Sequence, residues 1–264
     1  MDRVSLAQIF AQVRSESPIV HSITNYVAMN INANALLAVG ASPIMAHAPQ
    51  EMEAMVAISG ALVINIGTLD ELWIEGMLRA GKEMSKLGKP IVLDPVGSGA
   101  TAYRTATCHR IIKECKPTII RGNGSEIMSL VDSSVLSKGV DSSVGSDMAV
   151  EAAKLLAREC GAVVVVSGET DYITDGERVA TISNGSRMMT SVTAMGCTAT
   201  ALVGAFAAVA PDNQFDAALA AMAVMGVAGE RAAKDSEGSG SLHVNFIDEL
   251  YNMSADILAQ SVRS

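Results

Sequence analysis

An α/β fold built on a mostly parallel, doubly wound sheet is what this sequence predicts, and three observations carry the prediction. Short runs of apolar, largely β-branched residues alternate with longer segments of helical spacing through most of the chain. The runs ALVINIG, PIVLDP and AVVVVSG are almost wholly apolar, as expected of strands covered on both faces by helices. The strand–helix–strand order is that of parallel neighbours joined by helical crossovers.

The elements follow in order. Strands are predicted at 18–22, 43–46, 61–67, 90–95, 118–121 and 162–168, with helices at 26–39, 49–59, 69–87, 102–115 and 147–160 between them. After Gly168 the pattern changes. DYITDGERVATISNG predicts a small antiparallel hairpin turning at Asp175-Gly176. Three helices, at 197–210, 215–234 and 246–262, complete the chain. The stretch DSSVLSKGVDSSVGSD, from Asp132, is rich in Ser, Asp and Gly and predicts a surface loop. No linker divides the sequence, so a single domain over residues 1–264 is expected.

Composition narrows the function classes. A chain that is 49% hydrophobic and only 18% charged does not suit long disordered arms. Its net charge of −9 argues against a nucleic-acid surface, which needs clustered Lys and Arg, but not against a nucleotide. The apolar runs near the C-terminus are too short and too rich in small residues to span a bilayer. The N-terminus lacks a secretory pattern, and four cysteines without a CxxC pair suit reduced thiols in a cytoplasm.

In open α/β sheets ligands sit beyond the carboxyl ends of the strands. The residues at those ends are Asn25, Met45, Gly67-Thr68, Asp94-Pro95, Arg121-Gly122-Asn123 and Ser167-Gly168. Asp94 closes an apolar strand, a costly place for a carboxylate unless it is paired or meets a metal. Glu126 follows in NGSEIM, where an acid in the first turn of a helix also complements the dipole. Two acids on one edge suit Mg²⁺, which takes a few carboxylates together with substrate phosphates and water. Arg121 can neutralise a phosphate oxygen or form a surface ion pair. TAMGCTATALVGAFAAVA, from Thr193, runs a small-residue turn into an apolar helix, so its first N–H groups can close on a phosphate. GSGATA at 97–102 has the form of a dinucleotide fingerprint, but the next strand ends in Arg121 where that motif expects an acid. The four histidines show no metal-ligand spacing.

With these positions in hand, the chain resembles the hydroxyethylthiazole kinases of thiamin salvage, a branch of the ribokinase-like superfamily, over essentially its whole length. The resemblance rests on HSITNYV, NANALLAVGASPIM, ALVINIGTL, DPVGSGAT, IIRGNGSEIM, VVVSGETDYITDG and the Gly196-Cys197 turn, in that order. It implies a ribokinase-like fold and ATP-dependent phosphorylation of the primary alcohol of 4-methyl-5-(2-hydroxyethyl)thiazole. By the same resemblance Arg121 and Ser167 contact ATP. Met45 and Ala194 contact the thiazole, with Asn25 a further candidate for that pocket. Asp94 and Glu126 serve Mg²⁺, Gly196 lies in the anion hole, and the chains form homotrimers with active sites at subunit interfaces. Related kinases carry an Asp proton acceptor at the Cys197 position. A thiol starts near pKa ~8.5 and is lowered at helix N-termini, so Cys197 is expected beside the reacting hydroxyl and could act as its base. The family turn GTGC here reads Ala194-Met195-Gly196-Cys197, which adds a methyl and removes a hydroxyl beside the substrate. Kinases for hydroxymethylpyrimidine or pyridoxal-type alcohols, and a nucleotide-dependent dehydratase of hydrated nicotinamide cofactors, are alternatives on the same architecture.

Overall fold

The computed structural model describes residues 3–131 and 145–264. Helix α1 (Arg3–Glu16) leads into β1 (Ile19–Ile23), α2 (Met29–Ala38) and β2 (Ser42–Ile44). Then come α3 (Met52–Ile58), β3 (Ala61–Asn65), α4 (Glu71–Lys86), β4 (Ile91–Asp94) and α5 (Ala102–Cys115). β5 (Ile119–Asn123) runs directly into the short α6 (Gly124–Ser129), and α7 (Gly145–Cys160) returns the chain to β6 (Val163–Ser167). The hairpin β7 (Asp171–Thr174) and β8 (Val179–Ile182) precedes α8 (Met195–Val209), α9 (Gln214–Lys234), α10 (Ser239–Asn252) and α11 (Ala255–Ser261).

All eight strands form one sheet in the order β2-β1-β3-β4-β5-β6-β7-β8. β1 to β6 are mutually parallel, and β7 and β8 are antiparallel additions at one edge. Strand order reverses between β1 and β3, which makes the crevice beyond their carboxyl ends the natural ligand site of such a sheet.

The apolar runs form strands because both faces are buried, and alternate residues serve opposite cores. Val20, Val63, Val92, Ile119 and Val165 pack under α1, α2, α8 and α9. Leu62, Ile64, Ile91, Leu93, Ile120 and Val164 pack under α3, α4, α5 and α7. Phe10 of α1 stacks on Phe206 of α8, ring centroids 6.0 Å apart, and so fixes the helix that carries Cys197 against the sheet. Truncating either ring would cost about 3–5 kcal/mol.

Side-chain caps explain several boundaries. Asp70 caps α4, Thr101 caps α5 and Ser254 caps α11, each accepting a backbone N–H from the first turn. The predicted final helix at 246–262 is corrected on this point. It is two helices, α10 starting at Ser239 and α11 opened by the Ser254 cap, with extended backbone at Met253 between them. Residues 132–144 of the predicted surface loop lie outside the described residues, and its end, from Gly145, is already helical.

Candidate active site

Five strand ends and one helix start supply the site. β4 delivers Asp94, only 1% exposed. Its Oδ2 accepts hydrogen bonds from Asn65 Nδ2 at 2.8 Å and Thr200 Oγ1 at 2.8 Å. Burial raises this carboxyl from 3.8 to about 6, against the pull of the Arg121 charge and those two donors, while the Glu126 charge pushes it further up.

Arg121, on β5, does not form, among the described residues, the surface ion pair that its strand-end position also allowed. It is instead buried, 8% exposed, and its Nη2 donates to Ser167 Oγ at 2.6 Å across the β5–β6 pair. Its Nε is buried without a hydrogen-bond partner. Asp171, at the start of β7, is raised from 3.8 to about 6 by burial, opposed by the Gly168 N–H that it accepts and by the Arg121 charge.

Helix α8 points its N-terminus at this guanidinium. A Cβ on Gly196 would lie 2.9 Å from Arg121 Nη1, so glycine lets helix start and guanidinium meet without displacing the arginine's tip. The first intrahelical bond runs from Thr198 N to Ala194 O, and Ala194 supplies no side-chain cap. The free donors of the first turn and the Arg121 cation therefore form one electropositive corner, suited to a phosphate. Ala194 has φ +64°, the left-handed region that glycine tolerates best. The departure from the family turn falls on that strained residue.

Cys197 sits in the first turn of α8, as expected, and its Sγ accepts from Asn25 Nδ2 at 3.3 Å. The expected lowering of its thiol pKa is corrected. Burial pushes the thiol up, with the Asp94 charge adding to it, and these outweigh the Asn donors and Arg121. Desolvation of a thiolate defeats the helix start here.

Glu126 closes a capping box with Asn123. Its Oε2 accepts the Asn123 N–H at 2.8 Å, and its Oε1 reaches back to the Gly97 N–H at 2.9 Å. It thus ties the GSGATA loop to α6 and faces Asp94 electrostatically. Met45 lies one residue past β2, partly buried against the core that contains α8. Its neighbour Ala46 offers its carbonyl to His21 Nε2 at 2.8 Å. Asn25, Cys197 and Asp94 are joined by hydrogen bonds through Asn65, and Arg121, Ser167 and Gly196 by close contacts; Glu126 meets them through its charge on Asp94, and Met45 through the core it shares with α8.

Three participants were missed in the sequence. Asn65 closes β3 beside Asp94 in sheet register, a polar residue ending an apolar run just as Asp94 does. Thr200 lies one turn beyond Gly196 on α8 and is fully buried. Arg104, on α5, donates from Nη1 to the carbonyls of Ile66 and Val96, each at 2.8 Å, and from Nη2 to that of Gly67 at 2.9 Å. It joins the loop past β3 to the loop past β4.

The fold is that of an α/β protein of ribokinase-like architecture. A ribokinase-like superfamily protein from Enterococcus faecalis V583 superposes with TM-score 0.62 at 12% identity, covering 95% of this chain and 96% of that one, a likeness of fold alone. The chain belongs to the hydroxyethylthiazole kinase family, whose model matches residues 10–256. A hydroxyethylthiazole kinase of Leptospira biflexa serovar Patoc is 56% identical over 252 residues, spanning 96% of this chain and 94% of that protein. The solved structure of the hydroxyethylthiazole kinase protein of Pyrococcus horikoshii OT3 matches with TM-score 0.89 and 39% identity, over 98% of this chain and 97% of that one.

Proposed function

We propose that this enzyme transfers the terminal phosphoryl group of ATP to the primary alcohol of 4-methyl-5-(2-hydroxyethyl)thiazole, in thiamin salvage and with Mg²⁺. The observation that carries the reading is the buried Arg121, its Nε unpartnered, set against the glycine at the start of α8. Phosphoryl transfer has a loose transition state, and catalysis depends on positioning and charge neutralisation more than on covalent help. Arg121 and the first N–H groups of α8 neutralise the transferred group, and Ser167 orients the guanidinium. Asn25, Met45 and Ala194 contact the thiazole. Cys197 stands at the reacting hydroxyl and keeps its own proton at neutral pH, so it orients the alcohol more than it deprotonates it.

The donors present fit a magnesium ion. Asp94 and Glu126 repel one another electrostatically, an arrangement a cation relieves. Two carboxylates completed by phosphate oxygens and water are the usual Mg²⁺ setting. When bound, the ion supplies charge neutralisation at the phosphates; Asp94 and Glu126 would hold it.

The family's homotrimer suits this surface. Tyr26, Val27 and Leu72 are 63%, 59% and 64% exposed, and Tyr26 and Val27 directly follow Asn25, so a neighbouring copy could close the pocket there. The same reading puts the enzyme in the cytoplasm with its ATP; no described helix is long and apolar enough to cross a membrane.

The test is ATP consumption with Mg²⁺ against four candidates: the thiazole alcohol, hydroxymethylpyrimidine, pyridoxal and hydrated NADH. Formation of the thiazole phosphate ester supports the reading. Its absence, with turnover of any of the others, overturns it.

A further inference from the structure

Asn65 lies at the end of β3, fully buried, and its amide is used at both ends. Its Oδ1 accepts the Gly67 N–H at 2.9 Å and Asn25 Nδ2 at 2.8 Å. Its Nδ2 donates to Asp94 Oδ2 at 2.8 Å. The direction of the amide is forced, because a backbone N–H on one side demands the oxygen there and leaves the nitrogen for the carboxylate. Asn25 is constrained in the same way. Its Oδ1 accepts the N–H groups of Val27 and Ala28, at 3.1 and 3.0 Å, so its Nδ2 must face Asn65 and Cys197. One polar chain therefore runs from the Cys197 sulfur through two amides to the Asp94 carboxylate, across the switch point of the sheet.

We infer that Asn65 is a positioning residue that couples the two halves of the site, setting the Asp94 carboxylate on the metal and phosphate side and the Asn25 amide on the alcohol side. The inference rests on the kinase reading above. Asn65 is fully buried and acts through the groups around it: Asp94, Asn25 and the Cys197 thiol, whose pKa its amide also pulls down. Residues that hydrogen-bond a ligating carboxylate set its orientation and so tune affinity for the ion.

Asn65→Ser tests this. A serine hydroxyl two residues before Gly67 can still receive that N–H, as the asparagine does, so the local turn and the strand end are kept. It is too short to reach both Asp94 and Asn25. The expected result is a folded protein with kcat reduced about 10–10²-fold through misplacement of reacting groups. KM for the thiazole alcohol should stay within about threefold, the pattern of an interaction realised in the transition state. Binding of Mn²⁺ with ATP, without acceptor and followed by the loss of the free-ion EPR signal, should weaken by about tenfold. Asn65→Ala, which also loses the turn, should show the same kinetic split and melt lower. A folded Asn65→Ser whose kcat and Mn²⁺ affinity are both unchanged overturns the inference. So does a Ser variant that fails to fold, since the residue would then be structural only. Wild-type protein that holds Mn²⁺ and ATP but does not phosphorylate the thiazole alcohol would sink the functional reading, while the Mn²⁺ comparison still decides the role of Asn65.

Discussion

Replacing Asp94 by Asn should abolish activity and yet stabilise the metal-free fold at neutral and alkaline pH. Moving this carboxyl from 3.8 to about 6 makes its ionisation about 3 kcal/mol more costly in the folded protein than in the unfolded chain. The sign follows from which state holds the proton better. Here the folded state does, so the favourable contribution is complete below pH 3.8 and is lost as pH rises through about 6. Above that the full penalty stands. Asparagine carries no charge and still offers an oxygen to Asn65 Nδ2 and Thr200 Oγ1, the two groups that now donate to Oδ2. Allowing for imperfect replacement of the carboxylate geometry, a gain of about 1–2 kcal/mol is expected, consistent with the stability that active sites commonly forgo. Urea denaturation in EDTA at pH 8 measures it. The difference between variant and wild type should shrink toward pH 5, and comparing the two at each pH cancels the opposite behaviour of Glu53, Glu114 and Glu230, whose partners hold them low. An Asp94→Asn protein less stable than wild type at pH 8 would refute the reasoning, because it would mean the ionised carboxylate is a net stabiliser where it sits.

Other outcomes follow from the same geometry. Arg121→Ala should lower kcat/KM by the equivalent of ~2–4 kcal/mol, as loss of a preorganised electrostatic donor does, with the far-UV spectrum retained; unchanged kinetics would remove its role at the phosphate. Cys197→Ser should cost less than about tenfold in kcat, because the thiol is held protonated, and Cys197→Asp should hold or raise the rate. A loss of about 10²–10⁴-fold in the Ser variant would restore the general-base role. Ala194→Gly should stabilise by roughly 0.5–1 kcal/mol, the relief of a left-handed alanine less the extra freedom of glycine in the unfolded chain. A lower melting temperature would contradict the strain at φ +64°.

Much of this was legible in the sequence for a physical reason. Strands buried on both faces leave uninterrupted apolar runs, so β3, β4 and β6 could be seen without a structure, and their carboxyl ends followed from the parallel order. The start of α10 could not, because Gly238-Ser239-Gly240-Ser241 has the composition of a loop and becomes helical by packing Leu242 and Phe246 into the core. Asn65 was hidden because the importance of an asparagine at a strand end depends on which strand lies beside it, and its partner Asp94 is 29 residues away in the chain. The Cys197 thiol was misjudged because a helix start is visible in sequence, whereas the depth at which it is buried is not.

Arg104 makes one body out of two loops. Its guanidinium grips carbonyls from the segment past β3 and from the segment past β4, so neither can swing without releasing the other. In hydrogen-exchange terms the amides of the two segments would share an opening event rather than fraying separately. The strand-end loops on this side of the candidate site are then stiff. On the kinase reading proposed above, a change of acceptor preference would be sought in the turn from Ala194 to Gly196 and in the chain beyond β2, which Arg104 does not tie down.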